Sequence, residues 1–105
     1  MPTKIEPMDF DAVIERRMHF LVFETKDEGV PIKEGQCITL ENLVRTGFFT
    51  VIVLRGKTAE TIDGWELWHW GRKSRRVIKT YFDGDSHALM LYVRRWFLWA
   101  SNRRR

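Results

Sequence analysis

The sequence predicts a mixed β-sheet with helices packed against it, class α/β on the border of α+β. Three observations carry this. Runs rich in β-branched and aromatic residues recur between turn-forming clusters. Two longer stretches have helical patterning, one between strands and one near the end. The run MHFLVFET is apolar on both faces (Leu21 and Phe23 against Phe20 and Val22), as a central strand covered on both sides must be.

In chain order, DFDAVIE reads as a strand, followed by a turn near Arg16–Arg17 and the strand MHFLVFET. The loop KDEGVPIKEG leads into a helix from about Glu34 to Thr46, with Leu40, Leu43 and Val44 as its apolar stripe and Gly47 as its stop. FFTVIVLRG is the next strand, so strand, helix and strand form a crossover unit. WELWHW and RRVIKTYF flank GRKS as a hairpin. Asp85 or Ser86 then caps a helix from about His87 to Ser101. That helix is apolar nearly all round (Leu89, Leu91, Tyr92, Val93, Trp96, Phe97, Trp99) and needs cover from the sheet or a second chain.

A length of 105 residues fits one domain, and 44% hydrophobic with 30% charged residues is a folding composition. The single Cys37 excludes an internal disulfide and suits a reducing compartment. Met1 to Phe10 has no apolar signal-like run, and the stretch around Arg94–Arg95 is too short and interrupted to span a bilayer. The expectation is a cytoplasmic protein with no membrane partner and no organic cofactor.

Charge is unevenly spread. Residues 1–71 carry 12 acids and 8 bases, a balance of −4, whereas residues 72–105 carry 2 acids and 10 bases, a balance of +8. A basic C-terminal part points to a polyanion, with nucleic acid first. Arg72, Lys73, Arg75 and Arg76 at the hairpin tip and Arg103, Arg104 and Arg105 at the end are the expected phosphate contacts. A solvated charged surface is the competing reading.

The chemistry is expected at the end of the second strand. Glu24 and Lys26 are two apart and so share a face. A two-residue turn at Arg16–Arg17 puts Asp9 opposite Glu24, and a turn at Arg17–Met18 puts Asp11 there. In either register Asp9, Asp11, Glu24 and Lys26 lie on one face, with opposed side chains roughly 5 Å apart. Carboxylates that close repel, and a divalent cation reverses the sign. Mg²⁺ takes one or two carboxylates and keeps positions for water and phosphate oxygens. A lysine beside it orients or deprotonates water and balances transition-state charge, which is the equipment of phosphodiester hydrolysis. An ordinary strand-end ion pair between Glu24 and Lys26 is the alternative.

The run DFDAVIERRMHFLVFETKDEG…GQCITLENLVRTGFFTVIVLRG, about residues 7–56, resembles the PD-(D/E)XK nuclease superfamily. Its pattern is nearest the small phage and DNA-repair members, the VRR-NUC and Holliday-junction-resolvase-like domains. The resemblance implies a restriction-endonuclease-like sheet flanked by helices and a Mg²⁺- or Mn²⁺-dependent deoxyribonuclease, an endonuclease acting on branched DNA among the options. Glu24 and Lys26 match the (D/E)XK element as ETK. Asp11 or Asp9 matches the preceding acid, with Asp11 favoured. Gln36 matches the glutamine that opens the following helix in many members, and the Thr25 carbonyl would add a backbone ligand.

The family core usually begins with a helix and a further strand. Only eight residues precede Asp9, so residues 7–56 are expected to be an N-terminally truncated catalytic core within a single domain. Residues 57–105 would add the hairpin and helix, and a homodimer would complete the unit. His19, His69, His87 and Cys37 have no zinc-ligand spacing. Trp65, Trp68 and Trp70 are expected in the core, with base stacking as the alternative.

Overall fold

The computed structural model describes residues 10–27, 29–58, 61–84 and 86–103. Strands β1 (Ala12–Arg16) and β2 (His19–Lys26) precede helix α1 (Glu34–Arg45). Strands β3 (Phe49–Thr58), β4 (Thr61–Gly71) and β5 (Arg76–Asp83) then lead to helix α2 (Ser86–Ser101). The five strands form one sheet in sequence order. β2 and β3 are parallel and the other three pairs antiparallel, so the fold is α+β. A parallel pair cannot be joined by a tight turn, and α1 supplies the crossover. Gly47, at φ 82°, ends α1, and its N–H reaches the Val44 carbonyl at 3.0 Å.

The β1–β2 turn is made by Arg17 and Met18, both at positive φ (51° and 69°). Two consecutive left-handed residues match the twist of a two-residue hairpin. The pairs run from Arg16↔His19 to Ala12↔Phe23. Of the two turn placements open from sequence, the Arg17–Met18 one is realised, and Asp11 therefore falls next to Glu24.

Side-chain alternation sorts the strands onto two layers. Val22, Val51, Val53 and Trp68 pack with Leu40 and Val44 of α1. Leu21, Ile52, Trp65 and Leu67 pack with Leu89, Trp96 and Ala100 of α2. Leu21 and Val22, adjacent on β2, are both fully buried on opposite faces, as expected for a strand covered on both sides. Trp65 and Trp68 are core residues at 2% exposure, which removes them as stacking platforms; Trp70 is half-buried.

The sheet covers only part of α2. Met90, Leu91, Phe97, Leu98 and Trp99 remain exposed on the helix. No helix among the described residues is long and apolar enough to cross a membrane.

The topology separates two ends of the sheet. The last residues of β2 and β3 lie with the start of β4 and the end of β5. At the other end are the β1–β2 turn, the starts of β2 and β3, and the β4–β5 turn at residues 72–75. The C-terminus of α2 joins this second end, where Arg16 Nε donates to Ser101 Oγ at 2.8 Å.

Candidate active site

Glu24 sits near the end of β2, opposite Val53 of β3, which in turn faces Glu66 of β4. Lys26 faces Arg55 across the same parallel pair. Alternation therefore projects Glu24, Lys26, Arg55 and Glu66 onto the α1 side of the sheet. Valine 22 begins this row as core; two residues on, the strand presents a carboxylate.

That carboxylate is poorly provided for. Glu24 is 5% exposed, and its Oε2 has no hydrogen-bond partner among the described residues. Lys26 Nζ lies 3.9 Å from Oε1, the far limit of an ion pair. Burial pushes the Glu24 pKa up, and the neighbouring Asp11 charge pushes it further. A hydrogen bond from the Gln36 side chain and the charge of Lys26 oppose this but do not overcome it. Asp11 is itself held in place: its Oδ2 accepts the Thr25 backbone N–H at 2.6 Å. Thr25 thus enters the site as the donor that fixes Asp11.

The structure brings Asp11, Glu24, Lys26 and Gln36 together, with Gln36 in the first turn of α1. Asp9 lies outside the described residues, as do Arg104 and Arg105. Among the described residues no group of three or more His, Cys, Asp or Glu converges, so the acidic contribution here is the pair Asp11 and Glu24.

The sequence reading passed over Arg55 and Glu66. Arg55 Nε donates to Glu66 Oε2 at 3.0 Å, and its guanidinium also bonds the Val30 carbonyl. This ties the loop before α1 to the sheet and commits Arg55, leaving Lys26 as the cation directed at Glu24. The signal was present: Glu66 is an acid inside the apolar run WELWHW, on the alternation phase of Trp68. On the same face Lys79 Nζ contacts Glu41 at 2.6 Å and Cys37 Sγ at 3.8 Å, and lies 4.0 Å from the Trp68 ring centroid. Its hydrogen bond to Lys79 holds Glu41 below the usual carboxylate range.

The predicted phosphate contacts lie at the other end of the sheet. Arg72, Lys73 and Arg75 form the exposed β4–β5 turn and Arg76 begins β5. From Glu66 to Arg72 along β4 is six residues, roughly 20 Å at about 3.3 Å each. Arg103 is half-buried, its guanidinium 5.1 Å from the Trp99 ring centroid and its carbonyl accepting Arg17 Nε at 3.0 Å. The charge asymmetry of the sequence is thus partly a spatial one, with Asp11, Glu24 and Glu66 at one end of the sheet and Arg72, Lys73, Arg75 and Arg76 at the other.

Comparisons with family models, with curated proteins and with solved structures give no match to this chain.

Proposed function

We propose that this chain is a Mg²⁺- or Mn²⁺-dependent nuclease that hydrolyses phosphodiester bonds of DNA, built on a PD-(D/E)XK-like, restriction-endonuclease-like core. One observation carries the reading: a buried glutamate with an unpartnered oxygen, set against a second carboxylate and followed two residues on by a lysine. Buried charge without a partner costs free energy, and such perturbed groups concentrate where chemistry is done. The donor set fits a hard divalent cation: two carboxylates, one just before β1 and one on β2, the latter with an oxygen free of hydrogen bonds.

Asp11 and Glu24 would hold the ion, with Thr25 keeping Asp11 in position. When bound, the ion supplies Lewis-acid polarisation of the phosphate and a more acidic water. Lys26, half-buried beside Glu24, orients the attacking water, accepts or relays its proton, and offsets charge on the phosphate oxygens. Gln36 lies beside the Glu24 carboxylate and favours its charged form. The β4–β5 turn grips phosphates about six steps of B-form strand away, at roughly 3.4 Å per step. The reading includes a homodimer through Met90, Leu91, Phe97 and Leu98 of α2, which would present two sites to a two-fold branched substrate, and a cytoplasmic setting that keeps Cys37 reduced.

A second reading is favoured by the distance between carboxylates and arginines: a non-catalytic DNA-binding module whose affinity rests on the basic end alone. Labelled linear, nicked and four-way-junction DNA incubated with Mg²⁺, Mn²⁺ or EDTA separates the two. Metal-dependent cleavage that Glu24→Gln abolishes supports the nuclease. Salt-sensitive binding with no cleavage under any condition supports the module.

A further inference from the structure

A cavity of about 490 Å³ opens at the basic end, between α2 and the sheet, far from Glu24. Its size is within the range of small-ligand sites. Trp99, Tyr92 and His69 supply aromatic wall, Trp96 (4% exposed) is its buried floor, and Arg72 and Arg95 are the cations on it. No acidic residue is among the lining residues. A neighbouring cavity of about 400 Å³ shares Gly47 and Arg72 and adds Arg17 and Arg103, again without an acid. Both take their shape from the same cluster, in which the His19 and Trp99 rings meet edge-on at 5.0 Å.

This chemistry is selective. Arginines alone at a hairpin tip suit any phosphate backbone. Tryptophans alone between a helix and a sheet are core. Here an aromatic wall is left open to a cavity, with Trp99 42% exposed, and the charges around it are all of one sign. Such a site takes a planar ring bearing an anion: the ring stacks and the guanidiniums receive the phosphate. A base-paired duplex offers no free ring face at this depth, whereas an unpaired nucleotide does.

We propose that the cavity lined by Trp99, Tyr92, His69, Arg72 and Arg95 is a binding site for an unpaired nucleotide, with the base against Trp99 and the phosphate on the arginines. It is separate from the Asp11–Glu24 pair, and its occupant is a nucleotide of a single strand or a free mononucleotide. Within the nuclease reading it selects substrates with an unpaired end or a frayed junction arm, but it does not depend on that reading.

The test uses the full chain in EDTA, so cleavage plays no part. Fluorescence anisotropy follows binding of a labelled single-stranded oligothymidylate and of a blunt duplex of equal length, with thymidine monophosphate as competitor. The single strand should bind more tightly than the duplex. Trp99→Leu should weaken the single strand by roughly 5- to 150-fold, the range for losing one stacked base, and leave the duplex unchanged. Arg95→Gln should weaken single strand and mononucleotide together. Competition by the mononucleotide near the oligomer's own affinity assigns the free nucleotide as occupant; competition only at far higher concentration assigns the strand. Duplex binding as tight as single-strand binding, or a folded Trp99→Leu variant that binds the single strand as wild type does, overturns the proposal. Every probe is read in EDTA and both variants lie away from Asp11 and Glu24, so failure of the nuclease reading and failure of this one are read separately.

Discussion

Replacing Glu24 by Gln should stabilise the metal-free protein. The wild-type carboxylate is buried, has one oxygen without a partner, and faces the Asp11 charge. An unsatisfied buried polar atom costs about 1–3 kcal/mol. The weak pairing with Lys26 at 3.9 Å returns little of this, on the order of 0–1 kcal/mol. Gln keeps the shape, carries no charge, and can donate to Asp11 where Glu repels it. A net gain of about 1 kcal/mol is expected, which raises the melting temperature by roughly 4–8 °C in a domain of this size. The pH dependence fixes the cause. The folded-state pKa of Glu24 lies above its ordinary value of 4.5, so between these two pH values the native state binds more protons than the unfolded one. Stability then falls as pH rises from about 4.5 through the raised folded-state value, and levels off above it. The Gln variant lacks this slope, so its advantage should be absent near pH 4, open through that window and stay constant above it. Circular-dichroism melts in EDTA from pH 4 to 8 make the measurement. A Gln variant less stable than wild type at neutral pH would mean that Glu24 is a net stabilising ion-pair partner, and the account of a strained carboxylate would fail.

Other expectations concern turnover, grip and assembly. Lys26→Ala should lower the cleavage rate by about 10²–10⁴-fold, as for loss of a positioned proton-transfer group, with DNA affinity nearly unchanged because the arginines lie at the other end of the sheet. Cleavage at the wild-type rate would reduce ETK to an ion pair. Changing Arg72, Lys73, Arg75 and Arg76 together to Ser should flatten the slope of log affinity against log salt on duplex DNA by roughly two to four units, at about 0.9 per phosphate contact. The weakening should be alike across sequences, since phosphate contacts carry no base information; an unchanged slope would place the grip elsewhere. Sedimentation at tens of micromolar should give a dimer for wild type and a monomer for Leu98→Glu, whose parent side chain is 57% exposed on α2. A wild-type monomer would remove the paired-site geometry for junctions.

Much of the fold was legible because each signal was local. Gly47 and the Leu40, Leu43 and Val44 stripe place α1, and the continuous apolar run of β2 announces a strand covered on both faces. The β1–β2 register was not legible. Its turn uses Arg17 and Met18 at positive φ, with neither Gly nor Asn to mark the spot, so only the paired backbone distinguishes Asp11 from Asp9 as the neighbour of Glu24. Arg55 and Glu66 were hidden for a different reason. Their partnership crosses from β3 to β4, diagonally between the pairs Val53↔Glu66 and Arg55↔Gly64, and that pairing register is not written in either strand alone. The opposition of the acidic and basic ends was derivable but only with topology in hand: β4 runs antiparallel to β3, so the turn after it must return to where β3 begins.

Isothermal titration of Mn²⁺ into the wild type and into the Asp11→Asn, Glu24→Gln double variant tests the central claim, that these two carboxylates form a cation site. Wild type should bind one ion per chain with a melting temperature that rises with metal, by about 2.7 kcal/mol of stabilisation at a hundredfold excess over Kd. The double variant should fold, give no binding heat and show no shift in melting. Equal Mn²⁺ affinity in the two proteins would contradict the site.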